Sequence, residues 1–257
     1  MQESEPANDG LRANWFVLLV VGAIAGAGGA VALEKFEGQI KIREYLYGRV
    51  SLKNDQTFNP EERVEAKRQR IETGTRGIAR GYALIAGAIA LLLCFAEGIA
   101  QRSVVMATFG ALLAAALGAG LGAGAGLATE SWRLDMVEKA QGQSLELSKV
   151  IMFQAGGFAL LGLAVGLAVA IGTTLRRIPP MPIIAGVIGG VIAGAIYYPL
   201  AGIAFPTEVS DLSIPTGYIS NTLGRPATYN MAAWGALVGG IIGLVLGGVK
   251  VSRKAAE

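Results

Sequence analysis

The sequence predicts an all-α, polytopic transmembrane helical bundle of about six spans, and three observations lead to this fold class. First, 53% of the 257 residues are hydrophobic and only 16% are charged, whereas soluble domains carry about 25% charged residues. Second, the mean hydropathy is +0.50. Third, the apolar residues fall into six segments of the length that crosses a bilayer. We therefore expect residues 1–257 to form a single integral membrane domain.

The six predicted spans are helices rather than strands of a barrel. A hydrocarbon core of about 30 Å needs about 20 apolar residues per helix, and backbone groups in lipid must satisfy their hydrogen bonds internally. Long continuous apolar segments meet both requirements and suit helices rather than the alternating ten-residue strands of a barrel. The spans are expected near Trp15 to Leu33, Gly81 to Ala100, Val104 to Ala128, Val150 to Leu175, Ile183 to Phe205 and Met231 to Val249.

The first span has an alternative interpretation as a cleaved signal peptide. The triplet Ala30-Val31-Ala32 resembles a small-x-small cleavage site. A signal peptide begins with positive charge, whereas the residues before this span include Glu3, Glu5 and Asp9 against Arg12. This acidic balance favours an uncleaved first span.

A polar, basic loop is expected at 34–80, between the first and second spans. Within it, Asn59-Pro60-Glu61-Glu62 predicts a helix start, with Asn as the cap, Pro at the first helical position and acids at the positive end of the helix dipole. We expect this helix to end near Glu72, before Gly74. A basic cluster before the second span could bind anionic lipid headgroups, and a solvated helix with charge pairs is an equal alternative; the cluster comprises Arg63, Lys67, Arg68, Arg70, Arg76 and Arg80.

The connections suggest an orientation by their Lys and Arg content, which is higher on the cytoplasmic side of membrane proteins. Polar loops are expected at 129–149 and 206–230, and tight basic turns at Gln101-Arg102 and Arg176-Arg177. With six spans, the side of the long loop carries 15 Lys and Arg and the opposite side carries 7. This count predicts a cytoplasmic long loop, although the basic turns and the basic C-terminal tail argue for the reverse.

Glycines recur at every fourth residue within the spans, which places them on one face of a helix. In lipid, small residues let helix backbones approach and so drive helix association. We therefore assign these glycines to helix packing. The rows are Gly118, Gly122 and Gly126 in the third span, Gly186, Gly190 and Gly194 in the fifth, and Gly235, Gly239, Gly243 and Gly247 in the sixth, with shorter rows in the first and fourth.

This pattern resembles the glycine zipper, and the whole layout resembles glycine-rich multi-spanning bacterial membrane proteins of unknown activity. The resemblance implies a location in the bacterial inner membrane. The resemblance implies close helix packing. It implies no biochemical activity, because no defining motif accompanies it. We expect the lipid bilayer as a partner and a homo-oligomer or a membrane complex as the assembly.

Few residues could carry chemistry. The absence of His and the single Cys94 exclude His-containing metal sites, Ser-His-Asp or Cys-His catalysis and disulfides within the chain. We therefore expect no enzyme, no catalytic residue, no metal and no cofactor. The net charge of +3 gives no broad basic field for nucleic acid. The possible functional polar residues are Glu97 and Gln154 inside spans, and Arg102 in a turn.

A weak internal repeat offers a second functional hypothesis. One and the same shift along the chain superposes Arg102 on Arg177 and Met106 on Met181, each within an apolar helix, a basic turn and a small-residue helix. Duplicated hairpins occur in transporters. The sequence thus favours a structural, scaffolding or assembly component, and the alternative is a small-solute transporter or channel built from two hairpin repeats.

Overall fold

The computed structural model describes residues 15–39, 60–100, 104–140, 146–173, 180–204 and 228–254. These residues form six α-helices and no strand, as the sequence predicts for an all-α bundle. The helices are α1 Trp15–Gln39, α2 Pro60–Ala100, α3 Val104–Ala140, α4 Leu147–Thr173, α5 Pro180–Ala204 and α6 Thr228–Lys254.

Five of the six helices are long and apolar enough to cross a membrane. Their apolar parts range from 18 residues in α5 to 30 residues in α3. The apolar part of α6, Ala232–Gly248, lies below that length, and α6 as a whole has 27 residues. The fold is therefore a helical membrane bundle.

Helix α2 is longer than the sequence predicts. It begins at Pro60, the predicted first helical position, but it does not end near Glu72; it continues through Gly74 to Ala100. The prediction of a separate short helix was wrong because a glycine inside a helix costs only about 1 kcal/mol, and the ion pair between Glu72 and Arg76 bridges the turn that contains Gly74. Helix α1 also extends to Gln39, and residues 40–59 of the predicted loop lie outside the described residues.

Helix α3 corrects a second boundary. The sequence predicted a polar loop from residue 129, whereas α3 runs to Ala140. Charged pairs of i,i+3 and i,i+4 spacing support this polar extension: Glu130 pairs with Arg133 and Asp135 pairs with Lys139. At about 60 Å for α2 and about 55 Å for α3, both helices exceed the hydrocarbon thickness of about 30 Å.

The six helices form a closed ring in chain order. The most extensive contacts join α2 to α3, α1 to α6 and α4 to α5, and smaller contacts join α1 to α2, α3 to α4 and α5 to α6. Helix α2 also contacts α4 across the ring. The first and last helices of the chain are thus neighbours.

Neighbouring helices around the ring run antiparallel, so the helix ends gather at two levels. The contact of Gly22 with Gly239 and of Gly26 with Gly235 fixes this for α1 and α6. We call one level the loop end, which holds Gln39, Pro60, Ala140, Leu147, Ala204 and Thr228. The other, the turn end, holds Trp15, Ala100, Val104, Thr173, Pro180 and Lys254.

The core is apolar and the outer surface is apolar as well. Large buried side chains such as Ile85, Leu161 and Ile242 fill the interior. On the outside, Phe109 of α3 is 71% exposed and Ile203 of α5 is 81% exposed. Lipid chains are the solvent that such an outer surface requires, which agrees with a membrane location.

Candidate functional site

The glycine row of α6 lies against α1. A methyl group added to Gly239 would collide with the carbonyl group of Gly22, and one added to Gly235 would collide with that of Gly26. Further along the pair, Gly243 faces Leu18 and Gly247 faces Trp15. The two backbones are therefore closer than any side chain larger than hydrogen would allow.

The glycine row of α5 lies against α4. Gly186 faces the backbone of Gly162, Gly190 faces that of Phe158, and Gly194 faces that of Gln154. A methyl group at Gly194 would lie 2.5 Å from the Gln154 carbonyl oxygen. This hairpin is again in direct backbone contact.

The glycine row of α3 lies against α2, where alanine and tyrosine replace glycine. A methyl group on Gly122 would lie 2.6 Å from the Tyr82 carbonyl oxygen, and one on Gly118 would lie 2.9 Å from that of Ala86. Gly126 meets the backbone at Ile78. All ten glycines that the sequence assigns to packing thus lie at helix–helix contacts.

A buried polar group lies toward the loop end, between α2, α3 and α4. The Tyr82 hydroxyl is hydrogen-bonded to the side chain of Thr129. The Thr129 hydroxyl also donates to the Ala125 carbonyl at 2.9 Å. Both side chains lie beside Gly157 of α4, so this group joins three helices.

Glu130 is a fully buried acid that the sequence analysis missed. Its carboxylate receives two hydrogen bonds from Arg133, from Nε to Oε2 and from a terminal nitrogen to Oε1, both at 2.6 Å. The Glu130 side chain is 1% exposed and that of Arg133 is 28% exposed, so the cation reaches the surface while the anion does not. The signal was its position four residues after Gly126, which continues the buried row.

The three polar residues that the sequence singled out do not form one site. Glu97 is 2% exposed and lies near the turn end, one helical turn beyond Cys94, whose thiol donates to the Val169 carbonyl at 3.9 Å. Gln154 is also buried, but it lies about 22 Å from Val169 along α4. Arg102 lies outside the described residues. Glu97 and Gln154 therefore belong to opposite ends of the bundle.

An aromatic cluster joins α4, α5 and α6 toward the loop end. The ring of Phe158 lies 5.3 Å from that of Trp234 and 5.8 Å from that of Tyr197, centroid to centroid. Trp234 is buried, and in the part of the chain that the structure describes no acceptor reaches its indole nitrogen. These distances are typical of direct aromatic packing.

Between the polar groups of the two ends, the described buried side chains are all apolar. Going from Tyr82 toward Glu97 along α2, they are Ile85, Ala86, Ile89, Ala90, Leu93 and Cys94; at the same levels α4 and α6 contribute Leu161, Val165, Val238 and Ile242. This apolar layer spans about four helical turns, or roughly 20 Å. Within the described residues, no three Cys, Asp or Glu side chains come close enough to hold a metal ion.

Comparisons of this chain with protein families, with curated proteins and with solved structures returned no match.

Proposed function

We propose that this chain is a structural, scaffolding or assembly component of the bacterial inner membrane whose helices associate through glycine-zipper faces. The observation that supports this most directly is the backbone contact along all three helix pairs. Glycine rows such as Gly235 to Gly247 are used for close packing inside the chain. Such packing produces a stiff apolar body, which suits a component that positions others.

The apolar layer favours a structural component without a transport path over a transporter or channel. A polar solute or an ion that crosses a membrane needs polar partners along its path. The described buried residues supply them at the two ends and not over the roughly 20 Å between. Lipid is the first partner of this body, with anionic headgroups at exposed basic side chains such as Arg76 and Arg80.

Purification from native membranes in a mild detergent tests the assembly role. We expect size-exclusion chromatography with light scattering to find either several copies of this chain or a stoichiometric membrane partner. A lone monomer that moves a solute across vesicle membranes would contradict the proposal. An assembly and a transporting monomer differ in particle mass and in solute flux, so measurements on one preparation distinguish them.

A small-solute transporter or channel is the second candidate, and the buried carboxyl of Glu97 favours it, since ionisable groups inside spans often mark transport paths. Proteoliposomes that contain the wild type or a Glu97→Gln variant, loaded with a pH-sensitive dye, test it. The structural proposal expects both to leak protons no faster than empty liposomes. A wild-type flux that the variant lacks would establish the second candidate instead.

A further inference from the structure

The three most extensive helix pairs run in the same sense. In α2 with α3 and in α4 with α5, the first helix runs from the loop end to the turn end and the second returns. Helices α6 and α1 do the same, in that order. The last and first helices of the chain therefore form a third pair with the direction of the two hairpins.

One aromatic residue occupies the same place on the first helix of each pair. Tyr82, Phe158 and Trp234 follow each other at equal intervals along the chain. Each is at most 2% exposed. The helices that carry them approach each other to different extents: α2 contacts α4 extensively and α6 only slightly, and the rings of Phe158 and Trp234 are in contact.

The glycine contacts occur at the same height in all three pairs. At the level of the aromatic residues, the carbonyl of the first helix meets a glycine of the second: Tyr82 meets Gly122, Phe158 meets Gly190, and Gly235, next to Trp234, meets Gly26. One turn toward the turn end, the contacts recur as Ala86 with Gly118, Gly162 with Gly186, and Gly239 with Gly22. The α2–α3 and α4–α5 pairs thus share one packing register over two turns, and in the α6–α1 pair the same two contacts occur one residue further along α6.

We infer that the chain is three copies of one two-helix unit around an approximate three-fold axis along the membrane normal, and that the last and first helices form the third copy. The surface of each unit fits another unit of the same chain. This inference goes beyond the proposed function, since it holds for a scaffold and for a transporter alike. It replaces the two hairpins superposed at Arg102 and Arg177 by three units superposed at their buried aromatic residues.

Equivalent residues of the second helices are not separated by the same number of residues as those of the first helices, because the two hairpins differ in length. Gly190 follows Gly122 after a shorter stretch of chain than the one that separates Phe158 from Tyr82. The difference corresponds to about two helical turns of chain, which are divided between the two helices, so the α2–α3 hairpin extends about one turn further toward the turn end than the α4–α5 hairpin. A comparison anchored on the two turns pairs Tyr82 with Gly157 instead of Phe158, and so obscures the repeat.

Circular permutation of the full chain tests the inference, because it distinguishes connections between units from connections within them. Glu257 is joined to Met1, and new termini are opened at 40–59, 141–145 or 205–227, between units, or at 101–103 or 174–179, within units. We expect the three between-unit permutants to be monodisperse in detergent, with a Tm within about 4 °C of the wild type. The two within-unit permutants should lose more, because they separate helices that share a glycine contact.

The opposite order would overturn the inference: a stable permutant opened at 174–179 together with an unfolded one opened at 141–145. Failure of every permutant would overturn it as well, since a third unit made of α6 and α1 must tolerate a covalent connection between these helices.

Disulfide cross-linking of the unpermuted chain tests the third unit separately. A side-chain carbon at Gly240 would lie 3.5 Å from the Cβ of Ala23, within the range for a disulfide. In a Cys94→Ala background, Ala23→Cys with Gly240→Cys should form an intramolecular disulfide on mild oxidation. Gly28→Cys with Gly240→Cys is the matched control, because Gly28 faces open space. Covalent dimers or an equally reactive control would contradict the third unit.

Discussion

At the residue scale, the effect of a glycine in α3 depends on the side of the helix that it occupies. Gly118 and Gly122 face the backbone of α2, whereas a methyl group added to Gly120 or Gly124 would meet no other described atom within 4 Å. The two sets share one helix, one spacing and one residue type. Alanine substitutions at the two sets therefore separate the effect of helix–helix contact from the effect of helix propensity.

We predict that Gly118→Ala with Gly122→Ala lowers the stability of the protein, and that Gly120→Ala with Gly124→Ala does not. The first pair forces methyl groups against backbone carbonyls, at a cost of about 1 to 3 kcal/mol for overpacking at each site. The second pair meets open space and gains helix propensity. Thermal unfolding in detergent measures both; equal Tm shifts in the two variants would mean that the α2–α3 contact does not depend on glycine.

The pair of Glu130 and Arg133 gives a second residue-scale prediction. Arg133→Ala leaves a buried carboxylate without its cation, and we expect a loss of about 3 to 5 kcal/mol in the free energy of unfolding. Lys139→Ala is the control, because its ion pair with Asp135 is exposed and should be worth less than about 1 kcal/mol. Denaturant titration in micelles compares them.

The double variant Glu130→Gln with Arg133→Gln refines the test. It removes both charges, so it should recover part of the stability that Arg133→Ala loses. A double variant that is less stable than Arg133→Ala would show that the charges stabilise the fold beyond their mutual neutralisation.

At the element scale, α2 shows how a polar helix and an apolar helix can be one element. Its charged first third and its apolar remainder are joined without a break at Gly74. The ion pair between Glu72 and Arg76 lies across this junction. A continuous helix transmits the orientation of its polar part to the membrane part.

Substitutions at Gly74 distinguish a continuous helix from two separate ones. Gly74→Ala should raise stability by up to about 1 kcal/mol, and Gly74→Pro should lower it by about 3 kcal/mol, since proline interrupts a helix interior. Circular dichroism and Tm in detergent check both. A Gly74→Pro variant as stable as the wild type would place a helix end at this residue.

The helices themselves could be predicted from the sequence because all six segments are apolar and five of them are long enough to be recognised by composition alone. The polar extensions of α2 and α3 could not, since hydropathy marks where a segment enters lipid and not where its helix ends. For the same reason Glu130 was assigned to a loop. Glycine rows indicate a contact face, but nothing in their spacing states that α6 selects α1 rather than α5.

At the scale of the whole molecule, three connections join helices at the loop end and two join helices at the turn end, where α1 begins at Trp15 and α6 ends at Lys254. The Lys and Arg count favours a cytoplasmic loop end. The glycine contacts fix only the relative directions of the helices. The prediction of which end faces the cytoplasm therefore rests on the charges.

Cysteine labelling checks this orientation. In the Cys94→Ala background, a membrane-impermeant maleimide should label Gln101→Cys in spheroplasts, whereas Gln143→Cys should react only after permeabilisation, since the two positions belong to opposite ends of the ring. Labelling of Gln143→Cys alone in intact spheroplasts would reverse the orientation. Labelling of both would contradict the arrangement of α3 as a membrane-crossing helix.

Because α1 pairs with α6, its main helix contact can form only late in the synthesis of the chain. Helix α1 leaves the ribosome before α6 and is complete at Gln39, whereas its partner α6 is complete only at Lys254. At synthesis rates of about 5 to 20 amino acids per second, that delay is about 10 to 40 s. During this time the face of Gly22 and Gly26 has no α6 to contact, so a chain truncated before Thr228 would present an unmatched glycine face to the quality-control machinery of the membrane.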